Sequence, residues 1–145
     1  MPTPIKPGTI LTGVATAVIA PARFIIPGAG STDASFKVTA AANATAPILG
    51  VCVQVVPTAL NADYNDPAAA GDQVSFTMDG IVYLQVDGAS PNIPIGGPLT
   101  SGAAGVGVLA AADGNWVGAI ALEPATADGV LIPVKVANFR LVVPA

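Results

Sequence analysis

Four Asp-Gly pairs, at 79–80, 87–88, 113–114 and 128–129, punctuate the C-terminal half of this chain. Such a pair marks a turn: glycine enters the left-handed region without a Cβ clash, and aspartate bonds its own backbone. Between the turns lie apolar runs of roughly five to eight residues, too short for an ordinary helix and suited to strands. Val74, Phe76 and Met78 alternate with Ser75, Thr77 and Asp79, the period of a half-buried strand. No window places apolar residues at the three-to-four spacing of a helix face. The pattern predicts an all-β chain, a small antiparallel β-barrel or sandwich.

The first nine residues, MPTPIKPGT, contain three prolines and a glycine. Proline is excluded from helix interiors and removes ladder donors, so this segment reads as an extended arm. Fully stretched it spans about 30 Å, enough to lie across a neighbour. Pro2, Pro4, Ile5 and Pro7 are therefore candidate contacts with a partner. Residues 1–30 form the arm and first strand or strands, and residues 31–145 a single β-barrel-like domain.

Further strands are expected over residues 10–26, broken at Pro21, over Ser35–Ala40, with Phe36 and Val38 on one face, and over Ile48–Val56. Pro57–Gly71 is a long polar loop. Asp79-Gly80 predicts a tight hairpin joining VSFTM to IVYLQV. Asn92–Gly105 is irregular and rich in glycine and proline. Short strands follow at Val106–Leu109, Trp116–Leu122 and Val130–Val136, with a separate last strand at Asn138–Val143.

The side chains exclude much chemistry. With no histidine, Ser-His-Asp and Cys-His sites and Cys/His zinc sites are ruled out. Cys52, between valines in ILGVCVQVV, reads as a small buried apolar residue. Gly97 and Gly102 have phosphate-loop spacing, but Ala103 stands where lysine is required. Gly28 and Gly30 begin a dinucleotide-like pattern that Asp33 breaks. Asn61, Asp63, Asn65 and Asp72 have the oxygen spacing of a calcium loop, but Asp66 occupies its glycine position. Eight aspartates and one glutamate sit mostly beside glycine or proline, where turn hydrogen bonding accounts for them. No metal, cofactor or catalytic residue is assigned.

Five bases scattered at Lys6, Arg23, Lys37, Lys135 and Arg140, with a net charge of −4, do not form a phosphate-binding patch, so direct nucleic-acid binding is not expected. No run reaches the roughly 18 apolar residues of a membrane-spanning helix. Prolines on both sides of Ile10–Ala20 argue against a signal-peptide core.

Only 10% of the residues are charged, while 52% are hydrophobic and mostly small. Few charges keep such surfaces apart in solution, so much of the exterior is expected to be covered by further copies or by a partner. Trp116, the only tryptophan, opens a strand after a turn. Packing at the barrel base or in a subunit contact suits its large apolar area better than a sugar-stacking role.

Three segments carry a family resemblance: AAAGDQVSFTMDGIVYLQV, IPIGGPLTSGAAGVGVL and GNWVGAIALEPATADGVLIPV. Gly71-Asp72 enters an alternating strand, Gly80 follows, then come Gly97-Pro98-Leu99, Gly118 to Leu122, and Asp128-Gly129 before a valine-rich strand. In this pattern the chain resembles the small head decoration, or capsid cement, proteins of tailed bacteriophages. The likeness spans roughly residues 70–136, and residues 1–69 match poorly.

The resemblance implies a β-barrel-like module, commonly a homotrimer, on the outer surface of the virion head. There it braces neighbouring subunits of the major capsid protein once the shell has expanded. Another assembling β-protein, such as a tail or spike component or an extracellular fibre subunit, is the alternative. A small sugar-binding module or an enzyme stands third.

Overall fold

A computed structural model of the chain describes residues 6–30, 36–45, 47–53 and 69–143. The strands among them are β1 (Lys6–Pro7), β2 (Ile10–Ala15), β3 (Phe24–Pro27), β4 (Lys37–Ala40), β5 (Gly50–Cys52) and β6 (Gln73–Thr77). They continue with β7 (Gly80–Asp87), β8 (Pro98–Ser101), β9 (Gly107–Leu109), β10 (Trp116–Ala121) and β11 (Asp128–Arg140). One short 3-10 turn, Ala103–Gly105, precedes β9. The fold is all-β, as the turn punctuation predicts. No helix of the described residues is long and apolar enough to cross a membrane.

The strands form two small closed units. The N-terminal barrel runs β2-β4-β3-β5-β6. The second runs β7-β11-β10-β8-β9 and closes through a parallel β7–β9 bridge at Val86 and Gly107, with β1 added beside the start of β7. Closure leaves few free strand edges, which suits a chain with so little charge to protect them.

Alternation decides which residues fill each barrel. Along β7, Val82, Leu84 and Val86 are buried, while Ile81, Tyr83, Gln85 and Asp87 are half-buried on the other face. Val82 and Leu84 lie beside Val134 and Ile132 of β11 in the inner layer. In the N-terminal barrel, Ala15, Ile25, Val38, Cys52, Val74 and Phe76 form a core of their own. The larger core is shared. Phe24, Ala41, Ile48 and Val51 of the N-terminal barrel pack with Leu84, Leu99, Ala119 and Ile132 of the second. Arg23 adds a polar tie, donating to the Pro21 carbonyl and to the Gln85 side chain on β7.

Three local expectations are corrected. Asp79-Gly80 does not close a hairpin. β6 pairs with β2 and β5, whereas β7 pairs with β1, β9 and β11, so the corner carries the chain from one barrel to the other. Gly80 does take a positive φ of 86°, so the turn chemistry is present but serves a crossover.

The glycine- and proline-rich stretch 92–105 contains a strand, β8, inserted between β10 and β9. Its Leu99, Thr100 and Ser101 are buried, so tertiary packing overrides a weak local signal.

Finally, Val130–Val136 and Asn138–Val143 are not two strands. β11 runs continuously through thirteen residues, with a register shift on its β10 side between the pairs Val117–Phe139 and Ala119–Val136. It pairs with β7 over its first part and with β10 over its last. Pro133 is tolerated in the middle because its nitrogen faces the side of β10 beyond the last pair, Ala121 with Val134, where the ladder has ended; its carbonyl still accepts from the Leu122 amide.

Candidate functional site

Several of the described acids accept backbone hydrogen bonds, Asp72 and Asp87 within their own turns and Asp113 from a distant strand end. Asp72 Oδ2 accepts from the Ala69 amide at 2.9 Å, Asp87 Oδ1 from Ala89 at 3.0 Å, and Asp113 Oδ1 from Val143 at 3.1 Å. Asp72, the last member of the calcium-loop pattern, is thus occupied with a turn; Asn61, Asp63 and Asn65 lie outside the described residues. Among the described residues no three His, Cys, Asp or Glu side chains gather as metal ligands.

Cys52 is buried and unpaired. Burial pushes its thiol up from 9.0 to about 11, with hydrogen bonding at Ala22 and the charge of Arg23 opposing the shift. The folded state therefore holds the thiol proton up to about pH 11, while the unfolded chain releases it near 9.0. The Cys52 contribution to stability is intact below pH 9 and is lost as pH rises toward 11. Denaturant titrations at pH 8 and pH 10.5 are expected to show that loss, and a Cys52→Ala chain is expected to show less of it. At pH 8 a thiol reagent is expected to label Cys52 only when denaturant is present.

Exposed apolar side chains are the remaining feature among the described residues. The outer face of β7, β11 and β10 is mainly apolar. Gln85 lies opposite Leu131, Tyr83 opposite Pro133, and Ile81 opposite Lys135, which in turn lies opposite Ile120. Leu131 is 43% exposed on this face. Around the N-terminal barrel, Ile10, Leu11, Phe36 and Met78 are exposed. Leu11 pairs with Phe76, whose ring centre lies 6.2 Å from that of Phe36.

At the far end of β11, Val142 is 78% exposed. It borders an open hollow of about 320 Å³ lined by Asp113, Gly114, Arg140 and Leu141. The side chain of Trp116 lies beside this end. It is half-buried against the shared core, and the Arg140 guanidinium sits 5.7 Å from its ring centre. Its amide donates to the Ala44 carbonyl at 2.8 Å, tying β10 to the loop after β4.

Of the arm residues named from sequence, Pro2, Pro4 and Ile5 lie outside the described residues. Pro7 is in β1 and pairs with Gly80. The strand order β1-β7-β11-β10 keeps Pro7 and Trp116 apart by two strands, so the structure does not bring these two residues into one site.

Sequence reasoning missed Asp79. Its backbone carbonyl accepts from the Gly8 amide at 3.2 Å, and its Oδ1 accepts from the Thr9 amide at 3.1 Å. The Thr77 hydroxyl donates to the same Asp79 carbonyl at 2.7 Å. The Thr-x-Asp spacing before glycine was the available signal, but a hairpin reading absorbed it.

No protein-family model matches the chain, and no curated protein matches it. Among solved structures the fold recurs in the head fiber gp8.5 N base of bacteriophage phi29. The two share 20% sequence identity with a TM-score of 0.61. The match covers 92% of this chain and 97% of that one. At this identity the likeness is one of fold, and it extends over both barrels.

Proposed function

We propose that this chain is a structural protein of a phage virion that binds the outer surface of the head through the major capsid protein, as a trimer, and stabilises the expanded shell. The single observation that carries this reading is the near-complete fold match to the base of a phage head fibre. The side chains agree with it. Asp72 and Asp87 cap turns, the thiol is buried, and exposed apolar residues such as Leu131 and Val142 offer contact area.

A shell-bound module needs no reaction. It needs many copies, each covering a joint, and about 800 Å² per partner is enough for specific binding. Repeated engagement along a shell raises the effective affinity without new contacts. On this reading the N-terminal arm extends the reach, and its β1 residues Lys6 and Pro7 pair with the start of β7.

A second reading takes the neighbour's description at its word, as a base from which a fibre projects. Both readings place the chain on the head. They differ in whether something further is carried.

The test is cosedimentation of the purified chain with expanded, undecorated heads of its own phage. Saturable binding with fixed stoichiometry is expected. Assembly of the chain into long polymers without heads would instead favour a fibre subunit. Deleting residues 1–9 is expected to leave the circular dichroism spectrum unchanged and to weaken binding roughly tenfold or more. Unchanged binding would remove the arm from the mechanism.

A further inference from the structure

We propose that Asp79 is a positioning residue for shell binding, a latch that holds the N-terminal arm in register on β7. The proposal rests on the reading above, in which the arm contributes to the shell contact.

By itself, β1 has little to hold it. It pairs through two residues, Lys6 with Ile81 and Pro7 with Gly80, and proline supplies no ladder donor. The next two residues supply the hold. The Gly8 and Thr9 amides both donate to Asp79, one to its carbonyl and one to its carboxylate. A carboxylate acceptor makes the second bond charge-assisted and stronger than a neutral one.

The latch is itself anchored. The Asp79 carbonyl also accepts from Thr77, a fully buried residue whose backbone pairs with Ile10 of β2 and Val51 of β5. Residues 6–9 are therefore fixed to the corner where the chain passes between barrels.

Gly8 supplies a second, independent observation. A Cβ built on it would lie 1.8 Å from Asp79 Oδ1, so the carboxylate occupies the space that a side chain at position 8 would need. The φ of Gly8 lies outside the left-handed region, so an alanine there is compatible with the backbone and acts by displacing the carboxylate. Gly8→Ala thus breaks the latch without altering Asp79.

The experiment uses the full chain with four proteins: wild type, Asp79→Ala, Asp79→Asn and Gly8→Ala. Amide exchange at Thr9 reads the latch directly, and cosedimentation with undecorated heads reads its consequence. Asp79→Ala and Gly8→Ala are expected to speed Thr9 exchange at least tenfold and to weaken shell binding several-fold, with unfolding midpoints close to wild type. Asp79→Asn keeps an acceptor oxygen and is expected to recover most of both losses.

Unchanged Thr9 exchange in both Asp79→Ala and Gly8→Ala overturns the latch, whatever the shells do. Faster exchange with undiminished shell binding overturns its role in binding. If wild type itself fails to bind heads, the functional reading falls along with the positioning role, while the Thr9 data still report on the latch.

Discussion

Phe24→Ala is expected to lower the unfolding free energy by about 3–5 kcal/mol, the range for removing a large aromatic ring from a core. Phe24 is fully buried. It belongs by sequence to β3 of the N-terminal barrel, yet it packs in the core that contains Leu84, Leu99 and Ile132 of the second. A Cβ on Gly118 of β10 would come within 2.6 Å of the Phe24 ring, which shows how closely the two units meet.

One core for two barrels predicts one cooperative transition. Trp116 fluorescence reports on the second barrel and circular dichroism on both, and the two curves are expected to coincide in wild type and in Phe24→Ala. Phe76→Ala, in the core confined to the N-terminal barrel, supplies the comparison. A loss below about 1 kcal/mol in Phe24→Ala, set against its expected range, would contradict the shared core.

The second large effect concerns neighbouring residues with opposite signs. Gly105→Ala is expected to cost about 2–5 kcal/mol, since it adds left-handed strain to a backbone collision. Gly105 has a φ of 77°, and an added Cβ would lie 2.4 Å from the Phe24 carbonyl oxygen, a backbone atom that has no rotamer to escape into. Ala104 also has a positive φ, 55°, but its side chain is exposed. Ala104→Gly removes the strain at the cost of extra freedom in the unfolded chain, for a net gain of about 0.5 kcal/mol. Urea denaturation of both variants decides the matter. Equal and small effects would show that the Ala103–Gly105 turn does not brace the junction between barrels.

The sequence made strands and their inner faces legible because alternation is local. Val74 and Phe76 read as one face of a strand from their spacing, and both are buried. The alternation fails at its end, where Thr77 is buried and Met78 exposed because the chain turns there toward the second barrel. Caps were legible for the same reason: an aspartate before glycine serves its own turn, as Asp87 does. Partners were not.

Whether Asp79-Gly80 returns a strand on itself or hands it to another sheet depends on which edges lie nearby, and those come from β2 and β5, far away in the chain. β8 was hidden because its signal is tertiary. Pro98 and the glycines around it depress strand propensity, and burial against Ala119 and Leu109 restores the strand. The join within β11 was hidden because Asn138, a residue depleted in strands, looks like a break until the geometry of the neighbouring ladder is known.

The candidate site divides the same way. Low charge and an absence of histidine pointed to contact over catalysis, because composition needs no coordinates. Trp116 was named from its size, but its stacking with Arg140 depends on the pairing of β10 with β11. The Thr77–Asp79 contact was within reach of local spacing, but the bonds to Gly8 and Thr9 were not, because those partners lie about 70 residues earlier in the chain.

The most direct test of the account is electron cryomicroscopy of expanded, undecorated heads after incubation with the purified chain. The account predicts added density on the outside of the shell, at fixed symmetry positions, into which both five-stranded barrels fit. Bare shells beside unattached protein would contradict it.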